Sequence, residues 1–156
     1  MRHDICRHCR FINTAGFGKM FFLRFFKKLR LFKQLNCRQR KSFAGIKHSA
    51  AGKTVFASGF AQGLGITESV SSPTFTIVQE YPYEKGMFYH LDLYRIDGPD
   101  AALAFGIDEF LFDPEAIALV EWPVRIDGLF PEGTVYVKIL RTEEEERRHI
   151  IVERKS

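Results

Sequence analysis

The stretch that decides the fold is residues 47–54, which read Lys47-His48-Ser49-Ala50-Ala51-Gly52-Lys53-Thr54. Its last three residues complete the pattern Gly, four residues, Gly-Lys-Ser/Thr, in which a glycine-rich loop and a helix N-terminus surround phosphate groups. The first glycine of that pattern belongs at position 47, where this chain has lysine. The chain therefore carries the second half of a phosphate-binding loop behind an altered first half.

Lys53 and Thr54 are suited to nucleotide chemistry, because the lysine of the pattern reaches the β- and γ-phosphates and its hydroxyl binds magnesium. The apolar spacing that follows predicts a helix over residues 54–65, which is the context that such a loop requires. The alternative is an ordinary helix start with an exposed lysine, since the tripeptide alone is common by chance.

The charge of the chain is divided between two segments. Residues 1–50 contain 13 Lys or Arg and one acid, a net charge of +12, whereas residues 51–156 contain 10 Lys or Arg and 18 acids, a net charge of −8. Such a split predicts segments of different character. We therefore expect an atypical basic N-terminal segment, residues 1–50, followed by a globular domain, residues 51–156.

The basic segment leaves several functions open. Residues 20–35 predict a cationic amphipathic helix, which suits an anionic membrane surface or RNA phosphates but is too short and charged to span a bilayer. An arginine-rich, acid-poor N-terminus also resembles a transit peptide. Cys6 and Cys9 have a metal-like spacing, but no second pair follows. The odd total of three cysteines, all within residues 1–50, fits a reducing compartment and predicts a cytoplasmic protein.

The spacing of apolar residues and the positions of turn residues in 51–156 predict an α/β domain with a mixed sheet. A hairpin is expected over 74–94 with its turn at 82–86, short helices over 99–105 and 107–112, and a buried strand over 116–122. Residues 134–140 and 147–153 alternate apolar and polar residues, which predicts a terminal antiparallel pair. Residues 36–47, by contrast, offer no strand leading into the phosphate loop.

Carboxylates and hydroxyls at strand ends are the candidate chemical groups. Glu121 ends the apolar strand, where it can meet a metal held at the phosphate loop; the alternative is an ordinary strand-end acid. Asp92 lies on a largely apolar strand, and burial of a carboxylate requires a metal or a partner such as Arg95. The hydroxyls of Ser72, Thr74 and Thr76 either respond to a terminal phosphate or lie in a solvated turn.

Several segments, in order, resemble one family. Residues 72–81 (SPTFTIVQEY) look like the switch segment of the TsaE (YjeE) family, and residues 89–95 (YHLDLYR) match the strand that follows it. Residues 106–111 (GIDEFL) and 120–123 (VEWP) match two further signatures, and Gly52-Lys53-Thr54 precedes them at fitting spacing. The resemblance covers about residues 51–153.

The resemblance implies a P-loop ATPase with a P-loop NTPase-like mixed sheet flanked by helices, required for threonylcarbamoyladenosine modification of bacterial tRNA beside the anticodon. It implies TsaD- and TsaB-type partners, contact with tRNA only through their complex, and ATP and Mg2+ as cofactors. The implied catalytic residues are Asp92, Thr74 and Glu121. The implied ATP-binding residues are Ala51, Gly52, Lys53, Thr54, Val55 and Trp122. The implied metal ligands are Thr54 and Glu121.

The chain departs from the family before Ala51. The family's loop reads like Gly-Asp-Leu-Gly-Ala-Gly-Lys-Thr, and two of its glycines, which allow unusual dihedrals, are Lys47 and Ala50 here. The N-terminal strands are therefore expected to be atypical or missing, and a shifted reading frame or misjudged start would explain residues 1–50. Two further functions stay open: an impaired remnant that binds partners without hydrolysing ATP, and a basic membrane- or RNA-binding module.

Overall fold

A computed structural model describes residues 10–13, 41–45, 52–141, 143 and 147–154. They form seven strands and three α-helices. The strands are β1 (Arg10–Asn13), β2 (Lys41–Gly45), β3 (Val78–Tyr83), β4 (Gly86–Asp92), β5 (Ala116–Glu121), β6 (Val135–Arg141) and β7 (Arg147–Arg154). The helices are α1 (Lys53–Gly63), α2 (Pro99–Phe105) and α3 (Ile107–Phe112), and a 3-10 turn spans Pro123–Ile126.

The seven strands form one mixed sheet in the order β1-β7-β6-β2-β5-β4-β3. Its centre is parallel, since β2 pairs with both β5 and β6, and β4 pairs with β5, in parallel. Both sides end in antiparallel pairs, β3–β4 on one side and β6–β7–β1 on the other. The predicted α/β class and the predicted terminal antiparallel pair are confirmed.

Strand β2 corrects the expectation that residues 36–47 offer no strand. Lys41–Gly45 pairs with β5 over its whole length and with β6 over three residues. The reason is tertiary: a strand bonded on both sides is stabilised by its neighbours even when its own sequence lacks an apolar run. The strand leading towards residues 47–54 is therefore present, although its sequence is atypical.

Helices cover both faces of the sheet, because successive strand residues point to opposite sides. On one face α1 packs Phe56 and Phe60 against Phe88, Ile117 and Leu119. On the other face α2 and α3 cover a second cluster that includes the alternate residues of the same strands. Helix α2 begins with a proline and ends at Gly106, which has a positive φ, as the sequence predicts.

The hairpin β3–β4 differs from its prediction at both ends. Its turn is the two-residue Glu84-Lys85 step rather than residues 82–86. Strand β3 starts at Val78 rather than at position 74, because residues 73–77 close a turn in which the Ile77 amide donates to the Pro73 carbonyl. Ile77 has φ 68, a left-handed conformation that is strained for a β-branched residue.

Several expectations concern residues outside the described ranges. These are the amphipathic helix over 20–35, the Cys6 and Cys9 pair, and the loop positions 47–51, including Ala51. Among the described residues, α1 is the longest helix, and its 11 residues fall short of a bilayer span.

Candidate functional site

Two carboxylates lie side by side at the end of the parallel strands. Asp92 ends β4 and Glu121 ends β5, and the two residues are paired in register. Only 3% of Asp92 and 2% of Glu121 is exposed. In each strand, every second side chain faces α1, and Asp92 and Glu121 are the last of these. Both carboxylates therefore lie at the carboxyl edge of the sheet, near the start of that helix.

Helix α1 begins beside them at Gly52. This glycine has φ 90 and ψ 28, a left-handed conformation that other residues rarely adopt, and its carbonyl accepts the first helical hydrogen bond from Phe56. The amide groups of the first turn point out of the helix start, where they favour an anion. The sequence places Lys53 and Thr54 in that first turn.

Glu121 is held by two nitrogen groups. Its Oε2 atom lies 3.9 Å from the Lys53 Nζ atom, and its Oε1 atom lies 3.0 Å from the His90 Nε2 atom. Lys53 is 11% exposed at its side chain and His90 is completely buried. Glu121 is therefore not an ordinary strand-end acid in water, because its charge is buried against a lysine and a histidine.

Asp92 is held by hydroxyls and backbone instead. Its Oδ2 atom accepts hydrogen bonds from Ser72 Oγ at 2.8 Å and Thr74 Oγ1 at 2.7 Å, and its Oδ1 atom accepts one from the Tyr94 amide. The alternative that Asp92 pairs with Arg95 is wrong: the Arg95 guanidinium lies over the ring of Phe75, 4.6 Å from its centroid. Hydroxyls of the 72–77 loop thus satisfy the buried charge.

An aromatic wall closes the other side. The Lys53 Nζ atom lies 4.9 Å from the centroid of the Trp122 ring, which is a cation–π distance. The Tyr94 ring packs against Trp122 with centroids 5.3 Å apart. Trp122 has φ 59, a left-handed conformation, and directly precedes the proline of the 3-10 turn.

These groups surround a cavity of about 420 Å³. Its lining includes every described residue that the resemblance implied for the site, together with the candidate hydroxyl of Ser72, and adds Tyr94; Thr76 is exposed and lies outside it. The complete lining is Gly52, Lys53, Thr54, Val55, Ser72, Thr74, Asp92, Tyr94, Glu121 and Trp122. The structure brings the predicted residues together in one place, while their individual roles stay predictions.

Comparison with known proteins identifies the family. The model of the family "Threonylcarbamoyl adenosine biosynthesis protein TsaE" matches residues 30–150. The chain belongs to the TsaE family.

Relatives and a solved structure agree with that membership. The tRNA threonylcarbamoyladenosine biosynthesis protein TsaE of Bacillus subtilis is 43% identical over 97 residues, 62% of this chain and 60% of that protein. The Haemophilus influenzae protein of the same name is 40% identical over 89 residues, 57% of this chain and 56% of that protein. The matches thus span less than two thirds of these relatives. The crystal structure of Bacillus subtilis YdiB covers 97% of this chain and 88% of its own, with a TM-score of 0.69 and 27% identity.

The cavity of this TsaE-family chain offers a donor set that fits magnesium and phosphate. Thr54 and Glu121 both line it and present oxygen atoms, the ligands that magnesium prefers. Within the ranges that the structure describes, no three His, Cys, Asp or Glu residues converge as a metal cage. In nucleotide sites magnesium is bound by one or two protein groups together with phosphate oxygens.

Sequence reasoning missed two contributors to the site, since Tyr94 and His90 were given no role. The available signal for His90 was its place in YHLDLYR, where it shares the α1 face with Asp92, two residues on. Its contact with Glu121 lies across two strands, and spacing along the chain does not reveal such a pair.

Proposed function

We propose that this chain binds ATP with Mg2+ in the 420 Å³ cavity and hydrolyses it as a component of tRNA threonylcarbamoyladenosine modification. One observation carries the proposal: the buried contact between Glu121 and Lys53 at the start of α1, 3.9 Å long, beside a second buried carboxylate. Two buried acids are costly unless they serve a ligand or a network. The family name supports the pathway.

The residues are proposed to divide the work as follows. The amides at the start of α1 and the Lys53 ammonium hold phosphates, and Thr54 and Glu121 bind the metal, which neutralises phosphate charge when present. Asp92 and Thr74 orient the attacking water, because both line the cavity and a carboxylate can accept a hydrogen bond from that water. Ala51, Val55 and Trp122 make further nucleotide contacts.

The same proposal covers the domain bounds, the protein partners and the cellular location of the chain. Residues 51–156 are proposed as the ATPase domain and residues 1–50 as an atypical basic segment, consistent with the charge split at residue 50, although Arg10–Asn13 and Lys41–Gly45 of that segment add strands to the same sheet. The ATPase binds partners of the TsaD and TsaB type in the cytoplasm, and its hydrolysis of ATP supports turnover of their complex. Translating the upstream DNA in its other two frames tests the origin: an apolar strand ending in a glycine-rich loop supports a frame shift, and its absence in both frames contradicts it.

The chain's single tryptophan provides the test of nucleotide binding. Trp122 lines the cavity, so its fluorescence is expected to change when ATP and Mg2+ are added. Lys53→Ala removes charge-assisted bonds of about 1.5–3 kcal/mol and is expected to weaken binding about 10- to 100-fold.

Lys85→Ala is the matched control, because Lys85 lies in the exposed hairpin turn away from the cavity. The control is expected to bind like the unmodified chain. Absence of any magnesium-dependent binding in the unmodified chain would overturn the proposal. Binding without phosphate release would instead support a remnant that no longer hydrolyses ATP.

A further inference from the structure

His90 is a buried polar side chain to which the proposed function gives no task. It lies on β4 between Phe88 and Asp92 on the face towards α1, and none of its surface is exposed. Its ring stacks on Phe88 with centroids 6.5 Å apart and planes 15° apart. Its Nε2 atom lies 3.0 Å from the Glu121 Oε1 atom. The imidazole is therefore fixed on one side by an aromatic ring and on the other by the carboxylate.

The second ring nitrogen of His90 shows that burial of the imidazole costs folding free energy. His90 Nδ1 is buried and has no hydrogen-bond partner among the described residues. An ionised Glu121 only accepts hydrogen bonds, so Nε2 must carry the hydrogen that is donated to it. The unsatisfied Nδ1 atom then costs free energy that an apolar residue at position 90 would avoid. An unsatisfied polar atom buried in this way points to a functional role for the side chain.

We propose that His90 is the positioning residue for Glu121. The Nε2–H group bonds Oε1 and thereby leaves Oε2 directed to Lys53 and the cavity. Without this bond, the carboxylate gains rotamers that turn it from the cavity, and ordering it again lowers affinity for the cation. This inference rests on the proposed function, since it assigns Glu121 as a magnesium ligand.

The test measures how much Mg2+ is required for half of the Trp122 fluorescence change with ATP. His90→Leu removes the donor and is expected to raise that concentration about 10- to 100-fold, the usual effect of removing the group that orients a metal ligand. His90→Gln places an amide N–H near the Nε2 position and is expected to restore most of the affinity. An unchanged magnesium requirement in folded His90→Leu, or equal losses in both variants, overturns the proposal.

A double-variant cycle separates positioning from general damage. If His90 acts through Glu121, then His90→Leu is expected to cause no further loss in a Glu121→Ala background. Additive losses contradict the proposal.

A second readout needs no nucleotide. In nitrogen-15 NMR spectra of the chain without ligand, His90 is expected to show hydrogen on Nε2, and Glu121→Ala is expected to shift that signal. Hydrogen on Nδ1 alone, or no shift, overturns the proposal. Failure of the unmodified chain to bind nucleotide, with the Nε2 signature present, would instead count against the proposed function.

Discussion

The ends of β4 and β5 carry neighbouring carboxylates that are held by different means. Asp92 and Glu121 are register partners on neighbouring strands and are almost equally buried. Asp92 is bonded by hydroxyls of the 72–77 loop, whereas Glu121 is bonded by groups on α1 and β4. The β5 side is thus built from regular elements, and the β4 side depends on a loop.

The difference indicates two kinds of task. A carboxylate fixed by helix and strand is held in one place, which suits a metal ligand. A carboxylate bonded by Ser72 and Thr74 is sensitive to the conformation of a loop that already contains the strained Ile77. Strained backbone of this kind is common at functional loops. We therefore expect Glu121 to govern cation binding and Asp92 to govern the rate of hydrolysis.

The largest effect is expected from paired amide substitutions. Each amide keeps one oxygen in place of two. Asp92→Asn can keep its oxygen on the Tyr94 amide only by turning its NH2 group to the Ser72 and Thr74 hydroxyls, which then have to accept instead of donate. Glu121→Gln removes the negative charge that Lys53 faces, so both variants are expected to lose about 1–3 kcal/mol of stability. Asp92→Asn is expected to lower kcat about 100- to 10,000-fold at unchanged magnesium requirement. Glu121→Gln is expected to raise the magnesium requirement about 10- to 100-fold.

Phosphate release and Trp122 fluorescence, titrated with magnesium, measure the two quantities separately. Chemical denaturation of each variant confirms that both remain folded. If both variants shift the magnesium requirement equally, the different partners of Asp92 and Glu121 have no functional meaning.

A smaller effect is expected from the loop itself. Thr74→Val keeps the shape of the side chain but removes its bond to Asp92, which is worth about 1.5–3 kcal/mol because the acceptor is charged. The expected result is a kcat lowered about 10-fold with nucleotide affinity nearly unchanged. Thr76→Val makes the same change at an exposed position two residues on, outside the cavity lining, and is expected to have no effect. Equal losses in both variants would show that the loop, rather than the bond, matters.

The smallest effect is expected at Tyr89, on the face of β4 opposite the cavity, and it concerns the pH dependence of stability. Burial, followed by the hydrogen bond to Asp113 and its charge, raises the pKa of Tyr89 to about 12 from 10.0. A raised pKa favours the protonated folded state, so this contribution to stability is complete below pH 10 and is lost as pH rises towards 12. Tyr89→Phe is expected to flatten that part of the alkaline unfolding curve and to leave nucleotide binding unchanged. An altered magnesium requirement would show that the two faces are coupled.

Much of the fold was predictable because its signals are local. The apolar run of β5, the proline and glycine that bound α2, and the helical spacing of α1 each mark an element within a few residues. Strand β3 was placed too early because Thr74 and Thr76 favour strands by composition, whereas their segment closes a turn ahead of Val78. Propensity alone does not report such tertiary contacts.

The site was predictable as a set of residues and less so as a network. Glu121, at the end of an apolar strand, was expected near the phosphate loop, and Asp92 was assigned to the site through the family resemblance. Which groups bond them depends on register across strands and on the path of the 72–77 loop. The His90 contact with Glu121, made over a separation of 31 residues, is of that kind.

Strand β2 has a consequence for the cooperativity of the whole domain. In the described sheet it is the single hydrogen-bonded connection between β6–β7–β1 and β5–β4–β3. Val137 and Ile139 of β6 nevertheless share one apolar cluster with Phe88 and Ile117 across that strand. Five residues of modest apolar content therefore join the C-terminal strands to the half that bears the cavity. Loosening of Lys41–Gly45 would leave that shared cluster as the remaining connection between the two groups of strands, so we expect it to lower the cooperativity of unfolding.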